Sequence, residues 1–580
     1  MMSLRRTLGA RPIGSWIAQC GKQETPATAF RSPCLRISSS TSKSLHTIPR
    51  HQVSGRDAEK TQQDSHFLTR KLADELQLPL FPASGEQLHL LQDPSHFYQT
   101  LKDKISQAQE RIFLASLYIG KEETELIEHL EKALQKNPSL QLTILVDALR
   151  GTRESAPTPS CASLVSRLHS RFPDRVNIRL YHTPKLKTWI KKIVGKRFNE
   201  GWGLQHMKIY GFDNDVVLSG ANLSRDYFTN RQDRYLLVEN HKDIADYLCS
   251  LTHVVGQFSL KLESIPHGPG SDAEQACSNW KLIWDGGNGC LSPSQGQEHF
   301  TPYTETGWTE AATKSLEDFT RRWHDRAPPP ESEAKSSGET ADTMLVPLLQ
   351  MGPFNIKQET RAVPQILNLG LDAPAGQANP AILALTSGYF SLYKPYKALL
   401  LRANAVRTAI VKIICAAPEA NGFFQSRGVS GWIPEAYTWY EYQFWSSLKK
   451  SKRLLGQDGR KSDEGGVEVR EWKKQGWTYH AKGIWYTPAS PTGAADSPSN
   501  GPTMVHVGSS NYGSRSADLD LECTFLISTK STELSRRFKK EFEALERNAS
   551  DIVDARLFRR PDRKVRKRVR LAAWILGGML

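Results

Sequence analysis

Two short segments decide the fold of this chain: QHMKIYGFD at residues 205–213 and YHAKGIW at residues 479–485. Each contains a histidine followed two residues later by a lysine, and the first has the alternating pattern typical of a β-strand. Side chains two residues apart on a strand point to the same side of the sheet, so each histidine and its lysine should face one site. The pairs are His206 with Lys208 and His480 with Lys482.

Landmarks recur in the same order in both halves of the chain, which indicates an internal repeat. An asparagine follows each histidine, by 16 residues in the first half and by 31 in the second. The difference equals the 15-residue stretch 488–502, whose proline- and serine-rich composition predicts an inserted surface loop. An acidic residue follows each asparagine by 11 residues. The landmarks are Ser116, His206, Asn222 and Asp233 in the first half, and Ser387, His480, Asn511 and Glu522 in the second.

These residue types suit phosphoryl transfer. One imidazole can attack phosphorus while a second serves as general acid and then as general base. Two lysines and two asparagines can hold the phosphate oxygens without a metal. An acid behind each imidazole would fix its tautomer, and Asp233 and Glu522 are the candidates for that role. Arg515 either meets an acceptor phosphate or forms an ion pair with Asp518 or Asp520.

The first segment resembles the His-x-Lys-x4-Asp motif of the phospholipase D superfamily, with Asp213 as its acidic residue. The stretch 218–235 is similar to one branch in particular, the mitochondrial phosphatidylglycerophosphate synthases, and the resemblance covers about residues 90–550. It implies an α/β protein with two similar sandwich halves packed to form one active site. The second segment departs from the motif, because Thr487 stands where the aspartate is expected. A catalytic role for an acid at that position is therefore in doubt.

The resemblance implies transfer of a phosphatidyl group from CDP-diacylglycerol to glycerol 3-phosphate, with release of CMP, in phosphatidylglycerol and cardiolipin biosynthesis. We expect His206 to attack the phosphorus and His480 to protonate the departing CMP, with a phosphatidyl-histidine between the two steps. The opposite division of labour stays open. Lys208, Lys482 and Asp213 complete the expected catalytic set, with no metal and no cofactor; the alternative for Asp213 is that it mainly stabilises its loop.

Two other functions remain open from the sequence. One is a hydrolase of the same superfamily, either a phospholipase or a nuclease that uses the same histidines, since basic charge and aromatic residues suit single-stranded nucleic acid. The specific stretch 218–235 argues against it, so no nucleic acid partner is expected. The other is a catalytically dead lipid-binding scaffold, for which Thr487 is the sole support.

The composition favours anionic partners and a mitochondrial destination. The 580 residues include 76 Lys+Arg against 61 Asp+Glu, a formal net charge of +15. Residues 1–56 are rich in arginine and serine and contain one acid, as in a mitochondrial transit peptide, with a disordered basic tail as the alternative. The resemblance implies a peripheral position on the matrix side of the inner membrane. Eight scattered cysteines form no Cys-x-x-Cys pair, so a zinc site or disulfide framework is not expected.

Two segments have the character of membrane-surface elements. Residues 185–197 form a basic amphipathic pattern with a tryptophan, shortly before the first histidine. The chain ends in a basic cluster and an apolar piece of ten residues, too short to cross a bilayer. An anionic membrane surface is thus an expected partner, and helices docked on the protein itself are the alternative.

These features divide the chain into six segments. The expected segments are a transit peptide at 1–56, a lead-in at 57–90, the first half at 91–264, a partly disordered linker at 265–345, the second half at 346–550 and a basic, apolar-ended tail at 551–580.

Overall fold

Two large mixed β-sheets, each covered by helices, form the framework seen in a computed structural model of the chain. The structure describes residues 65–154, 158–186, 199–265, 280–284, 307–326, 341–373, 379–402, 409–456, 465–490 and 501–577. The described strands, in chain order, are β1 Phe81–Ala83, β2 Leu88–Leu91, β3 Arg111–Ala115, β4 Gln141–Asp147, β5 Val176–Tyr181, β6 Ile209–Phe212, β7 Asp215–Ser219, β8 Arg231–Gln232, β9 Tyr235–Val238, β10 Leu260–Ser264, β11 Trp280–Ile283, β12 Thr343–Met351, β13 Ile356–Lys357, β14 Ala381–Ser387, β15 Ala409–Ala416, β16 Gly466–Trp472, β17 Thr478–Tyr479, β18 Lys482–Thr487, β19 Met504–Gly508, β20 Leu521–Thr529 and β21 Asp551–Ile552.

The two sheets repeat one topology. The first contains the spatial order β5-β4-β3-β6-β7-β9-β2, and the second contains β16-β15-β14-β18-β19-β20-β12. The three strands at the start of each series pair in parallel, and the remaining neighbours pair antiparallel. Strands β6 and β18 begin at or just after the lysine of each His-x-Lys pair. The two halves predicted from the recurring landmarks are therefore present as two matching sheets.

Helices lie on the outer faces and between the sheets. The described α-helices are α1 Ser65–Leu76, α2 Pro94–Gln107, α3 Thr124–Lys136, α4 Ala148–Gly151, α5 Cys161–Arg171, α6 Arg225–Thr229, α7 Lys242–Gln257, α8 Trp308–Arg326, α9 Gln358–Leu371, α10 Lys394–Leu401, α11 Ile433–Lys450, α12 Ser514–Asp518, α13 Thr532–Glu546 and α14 Lys567–Leu576.

Three layers of buried side chains hold these elements together. The inner core joins residues of both sheets with helices α7, α8 and α13, and it includes the fully buried Met207 and Trp485. A second core packs α2, α3 and α5 on the outer face of the first sheet. A third packs α1, α9, α10 and α11 on the outer face of the second. Each half is thus an α/β sandwich, and the two share one apolar interface.

The central strands read as continuous apolar runs because they are covered on both faces. Every residue of β12 and of β20 is buried. Gly211 in β6 faces the ring of Phe113, and a Cβ at this position would lie 1.9 Å from that ring. The glycine of the first decisive segment is therefore required by a close approach between neighbouring strands.

Three segments predicted to lie outside the halves belong to them. The lead-in 57–90 supplies β1 to the second sheet and β2 to the first. The linker 265–345 supplies β11 to the edge of the first sheet and helix α8 to the inner core. The tail 551–580 supplies β21 to the second sheet, and its helix α14 packs on α11. Short strands whose partners are far away in sequence leave too weak a local pattern to be recognised.

Other predicted segments lie wholly or partly outside the described residues. These are 1–56, most of the basic amphipathic pattern 185–197, and positions 491–500 of the inserted loop. The described start of that loop is anchored, since Ser490 and Asn379 exchange two backbone hydrogen bonds of 3.0 Å.

None of the helices in the described ranges is long and apolar enough to span a bilayer. The described cysteines, Cys161, Cys249, Cys415 and Cys523, are free thiols.

Candidate active site

Short backbone pairings between the halves bring the two histidines together. Strand β8 of the first half pairs in parallel with β17 of the second. The N–H of His480 donates to the carbonyl of Gln232 at 2.8 Å. In the matching place, the N–H of His206 donates to the carbonyl of Leu521 at 2.9 Å, and the N–H of Leu521 donates to Leu204 at 2.8 Å. Each His-x-Lys segment is therefore fixed by the opposite half.

The same pairing gives each histidine a carboxylate from the opposite half. Nδ1 of His206 lies 3.0 Å from both carboxylate oxygens of Glu522. Nδ1 of His480 lies 2.6 Å from Oδ2 of Asp233. Asp233 directly follows Gln232, and Glu522 directly follows Leu521, the residues whose carbonyls accept from the histidine backbone. The backbone pairing between the halves therefore places each acid beside the histidine of the opposite half. Because an ionised carboxylate only accepts hydrogen bonds, each acid favours the imidazole tautomer that has its proton on Nδ1 and its lone pair on Nε2.

A cavity of about 340 Å³ is lined by both imidazoles and by side chains of both halves. Asn222 and Asn511 also line it, and the side-chain oxygen of each is buried without a hydrogen-bond partner among the described residues. A buried acceptor oxygen of this kind needs a hydrogen-bond donor, which a ligand hydroxyl or a water bound with the ligand would supply. The predicted histidines and asparagines thus meet in one place.

The two lysines lie behind the histidines. The Nζ atom of Lys208 donates to the carbonyl of His206 at 2.6 Å, and Nζ of Lys482 donates to the carbonyl of His480 at 2.7 Å. Both lysines are at most 2% exposed. Burial lowers the pKa of Lys208 to about 7 and that of Lys482 to about 8. A phosphate anion bound beside these lysines would therefore favour their charged form.

Burial also sets the protonation of the imidazoles. It lowers the pKa of His206 and that of His480 well below the ordinary value, and the neighbouring lysine of each pair adds to the effect. Burial raises the pKa of Asp233 to about 6, and it raises the pKa of Glu522 as well. At neutral pH the ligand-free site therefore holds two neutral imidazoles, and a bound phosphate anion favours protonation of one of them.

The surroundings of the two imidazoles differ at Nε2. The hydroxyl of Tyr227 lies 3.3 Å from Nε2 of His480, and Asn222 donates to that hydroxyl at 3.2 Å. Five residues after the second asparagine stands Ser516, whose hydroxyl turns instead to Glu522 at 2.7 Å. Among the described residues, no hydrogen bond reaches Nε2 of His206. The repeat is thus asymmetric at the atoms that would react.

Arg515 forms an ion pair with Asp520, one of the two alternatives predicted for it. The Nε atom of Arg515 lies 2.9 Å from Oδ2 of Asp520, and both residues line the cavity. Possible ligand atoms of His206, Asp520 and Glu522 lie within 4.8 Å of one another. Both carboxylates already accept hydrogen bonds from the protein, as expected of acids that orient an imidazole and an arginine.

Asp213 lies away from this group. It occupies the turn between β6 and β7 with a φ of +52°, and its carboxylate accepts from the backbone N–H groups of Gln109, Glu110 and Arg111 at 2.8 to 3.0 Å. These contacts fix the start of β3, as expected of the loop-stabilising alternative for Asp213. Thr487 stands at the corresponding end of β18. The missing aspartate there consequently has no bearing on the cavity.

The chain matches known proteins over most of its length. A family model described as cardiolipin synthase, PLD-like domain, matches residues 101–254. A CDP-diacylglycerol–glycerol-3-phosphate 3-phosphatidyltransferase from Saccharomyces pastorianus is 37% identical over 557 residues, which cover 94% of this chain and 98% of the relative. The mitochondrial protein of that name from Homo sapiens is 34% identical over 517 residues, which cover 85% of this chain and 83% of the relative. The chain belongs to the CDP-diacylglycerol–glycerol-3-phosphate 3-phosphatidyltransferase family.

A solved structure outside this phosphatidyltransferase family has the same fold. The phosphatidylserine synthase of Haemophilus influenzae Rd KW20 aligns with a TM-score of 0.57 at 18% identity, covering 88% of this chain and 99% of its own. The predicted phospholipase D-like α/β architecture is thereby confirmed.

Several residues of this phosphatidyltransferase's cavity were not found from its sequence. Tyr227 and Tyr389 place their rings 5.1 and 5.4 Å from the His480 ring, and both line the cavity. Ser509 donates to Glu522 and holds it behind His206. Sequence position could have indicated the two tyrosines. Tyr389 lies two residues after the Ser387 landmark, and Tyr227 lies inside the stretch 218–235.

Proposed function

We propose that this chain transfers a phosphatidyl group from CDP-diacylglycerol to glycerol 3-phosphate, giving phosphatidylglycerophosphate and CMP, in phospholipid biosynthesis. The observation that carries the proposal is the pair of imidazoles in one cavity, each in hydrogen-bond contact with a carboxylate of the opposite half. The substrates are those for which the related phosphatidyltransferases are named. A buried lysine beside each imidazole supplies positive charge for the phosphate oxygens.

The proposed reaction is a double displacement. In the first step, the Nε2 lone pair of His206 forms a bond to the phosphatidyl phosphorus, the bond from phosphorus to the CMP oxygen breaks, and protonated His480 gives its Nε2 proton to CMP. In the second, the glycerol 3-phosphate hydroxyl attacks phosphorus and gives its proton to His480. The bond from phosphorus to Nε2 of His206 then breaks, which restores the imidazole.

The asymmetry of the cavity supports this division of labour. No hydrogen bond from a described residue reaches Nε2 of His206, whereas Nε2 of His480 lies 3.2 Å from Nζ of Lys482 and 3.3 Å from the hydroxyl of Tyr227. Burial raises the pKa of Tyr227 well above its usual value, so its hydroxyl keeps its proton. A hydroxyl in hydrogen-bond contact with His480 suits a proton-transferring imidazole better than a nucleophile, whose lone pair it would occupy.

The transfer proposal is tested by CMP release from CDP-diacylglycerol in mixed micelles, with and without glycerol 3-phosphate, beside a His206→Ala control. We expect release that depends on glycerol 3-phosphate, disappears in the control and is accompanied by phosphatidylglycerophosphate. Release without acceptor, with phosphatidic acid as product, would identify a hydrolase instead. Absence of any release would leave the nuclease or the scaffold as the function.

We further propose that helix α14 binds an anionic membrane surface. Leu571, Trp574 and Ile575 on this helix are 59%, 81% and 65% exposed, while Val569 and Ala573 are buried against α11. Basic residues flank the apolar ones, and two of them stack on tryptophans of the second half: Arg568 on Trp432 at 5.0 Å and Arg570 on Trp439 at 4.6 Å.

The same helix is linked to the cavity through α11. Tyr440 donates to the carbonyl of Ala573 at 2.8 Å, and Tyr437, one helical turn earlier, lines the cavity. Phe423 also lines the cavity and is 37% exposed, and the neighbouring Phe424 is 44% exposed. Basic side chains beside exposed aromatic residues favour the interface of an anionic bilayer. A lipid donor would then reach the cavity from the membrane.

Binding to vesicles tests this surface. Sedimentation with vesicles rich in anionic lipid should carry down the wild type but much less of the double variant Trp574→Glu, Ile575→Glu. Phe67→Glu is a matched control, since Phe67 is a 45% exposed apolar residue on helix α1. Equal binding by the double variant and the wild type would contradict the proposal.

The proposed location is the matrix side of the mitochondrial inner membrane, with the protein bound peripherally. Support comes from the mammalian relatives that are named mitochondrial and from the composition of residues 1–56. Protease protection of the protein in mitochondria with opened outer membranes, and its release by alkaline carbonate, would be the expected results. Retention in the carbonate pellet would contradict peripheral binding.

A further inference from the structure

The cavity wall contains four arginines, and they are not equivalent. Arg150, Arg153, Arg231 and Arg515 all line it. We infer that Arg150 binds the phosphate group of the acceptor, so that it selects a phosphorylated alcohol over an unphosphorylated one. This inference rests on the proposed transfer to glycerol 3-phosphate and identifies the subsite for its phosphate.

Three of the four arginines are matched by an acid of the same wall. Arg153 makes a two-pronged ion pair with Glu200. The other two pairs are Arg231 with Asp226 at 3.0 Å and Arg515 with Asp520 at 2.9 Å. Since Glu200, Asp226 and Asp520 all line the cavity, each neutralises its partner where a ligand would approach.

Arg150 differs from these three. Its hydrogen-bonded acid is Glu154, four residues later, at 3.4 Å, and Glu154 does not line the cavity, although Glu200 of the wall also acts on the charge of Arg150. Arg150 is thus the one of these four arginines whose hydrogen-bonded acid lies outside the cavity wall. A guanidinium that hydrogen-bonds no acid of the wall has a fork of donors well suited to bind a phosphate dianion on the cavity side.

The position of Arg150 is fixed before a ligand arrives. Its guanidinium lies 4.0 Å from the centre of the Tyr118 ring, which holds it flat against the wall. Its backbone N–H donates to Oδ1 of Asp147 at 2.9 Å, and Oδ2 of Asp147 accepts from the N–H of Gln205 at 3.0 Å. One buried carboxylate therefore ties Arg150 to the residue that precedes His206.

The positions of the phosphate groups in the two substrates indicate that Arg150 binds the acceptor. The reacting phosphorus of the donor must lie at the histidines, where Lys208 and Lys482 supply positive charge. Glycerol 3-phosphate carries its phosphate at the opposite end from the attacking hydroxyl, so that phosphate needs a cation away from the reacting phosphorus. Arg150 is outside the His-Lys group yet rigidly connected to it, as such a subsite requires.

Steady-state kinetics with two acceptors test the assignment. The variant Arg150→Gln keeps a planar polar side chain but removes the charge. We expect kcat/KM for glycerol 3-phosphate to fall at least about tenfold, the loss of one charge-assisted contact. The KM for CDP-diacylglycerol should not change, and neither should any transfer measured with a high concentration of glycerol as acceptor. Arg150→Lys should lie between the variant and the wild type.

A matched control and a second probe complete the test. Arg171→Gln makes the same chemical change at an arginine that is 51% exposed on helix α5, and it should behave as wild type. Inorganic phosphate should compete with glycerol 3-phosphate in the wild type and about tenfold more weakly in Arg150→Gln.

Each other outcome overturns the inference. A parallel loss with both acceptors, or a raised KM for CDP-diacylglycerol, would assign Arg150 to the donor or to folding. Unchanged use of glycerol 3-phosphate would exclude it from the subsite. Failure of the wild type to transfer to glycerol 3-phosphate at all would instead overturn the proposed function, and this inference with it.

Discussion

Oδ2 of Asp233, in the first half of the chain, lies 2.6 Å from Nδ1 of His480, in the second half. Glu522 of the second half holds His206 of the first in the same way. Neither half therefore contains a histidine together with the acid that orients it. The repeat forms one composite site, and its two parts depend on each other for the correct imidazole tautomer.

Removal of one orienting carboxylate should reduce turnover. In Asp233→Asn, the neutral amide replaces the carboxylate beside Nδ1 of His480. Both the Nδ1–H tautomer and the imidazolium form of His480 are then less stabilised. We expect kcat to fall by about 10²- to 10⁴-fold with little change in either KM, as in other sites where such an acid is neutralised. Initial-rate kinetics with both substrates measure this.

Asp213→Asn is the matched control for that variant. It should lower the free energy of unfolding by about 1–3 kcal/mol, because charged acceptors for three backbone N–H groups are lost, while kcat is retained. A loss of kcat in Asp213→Asn equal to that in Asp233→Asn would mean that the motif aspartate acts in the chemistry after all.

The pH dependence of kcat/KM should be bell-shaped. Burial raises the pKa of Asp233 to about 6, and below that pH the protonated acid no longer accepts from His480. Burial lowers the pKa of Lys208 to about 7 and that of Lys482 to about 8, and above these values the lysines lose the charge that holds phosphate. Activity should therefore rise with pH near 6 and fall between 7 and 8.

The variant Lys208→Arg tests whether Lys208 controls the fall of kcat/KM at alkaline pH. Arginine keeps its charge at every accessible pH, so the residual activity of Lys208→Arg should decline at a higher pH than that of the wild type. An alkaline limb at the same pH in both proteins would show that another group controls it.

The C-terminal segment should contribute to stability. The side chains of Arg563 and Glu471 are both 0% exposed, and Nε of Arg563 lies 3.0 Å from Oε1 of Glu471. Arg563→Met leaves a buried carboxylate without its cation, which typically costs about 3–5 kcal/mol. Thermal or denaturant unfolding should show this loss.

The loss should depend on pH in a defined direction. Burial raises the pKa of Glu471, and removal of Arg563 takes away a group that lowers it. A carboxyl group with a raised folded-state pKa destabilises more as pH rises, so Arg563→Met should be closer to wild type in acid than at neutral pH. Arg560→Met, at a 39% exposed ion pair, should cost no more than about 1 kcal/mol. Equal effects of the two variants would contradict a buried pair.

The repeat and the site residues could be predicted because they depend on spacing. The His-x-Lys pairs, the asparagines and the acids at fixed offsets predict two halves and one composite site. The histidines and asparagines line one cavity, and the lysines and acids contact the histidines from behind. Asp213, for which the motif leaves a catalytic and a loop-stabilising role open, lies at the far end of strand β6 from His206. A sequence pattern does not show at which end of a strand the cavity lies.

Contacts between the halves could not be predicted. The pairing of Asp233 with His480 depends on β8 meeting β17 in one register, and those strands are two residues long. Arg234 likewise reaches across to Glu541 at 2.8 Å, although nothing in its neighbourhood signals a partner some 300 residues away. The strands within 57–90, 265–345 and 551–580 were missed for the same reason.

The central claim is that the halves form one site in which His206 takes the phosphatidyl group and His480 moves the proton. Rapid quenching of the enzyme with CDP-diacylglycerol labelled in the phosphatidyl phosphate, followed by digestion and mass spectrometry, tests it most directly. We predict label on His206, with none on His480, and its disappearance when glycerol 3-phosphate is added. Label on His480 would reverse the assignment, and transfer without label on either histidine would contradict the covalent mechanism.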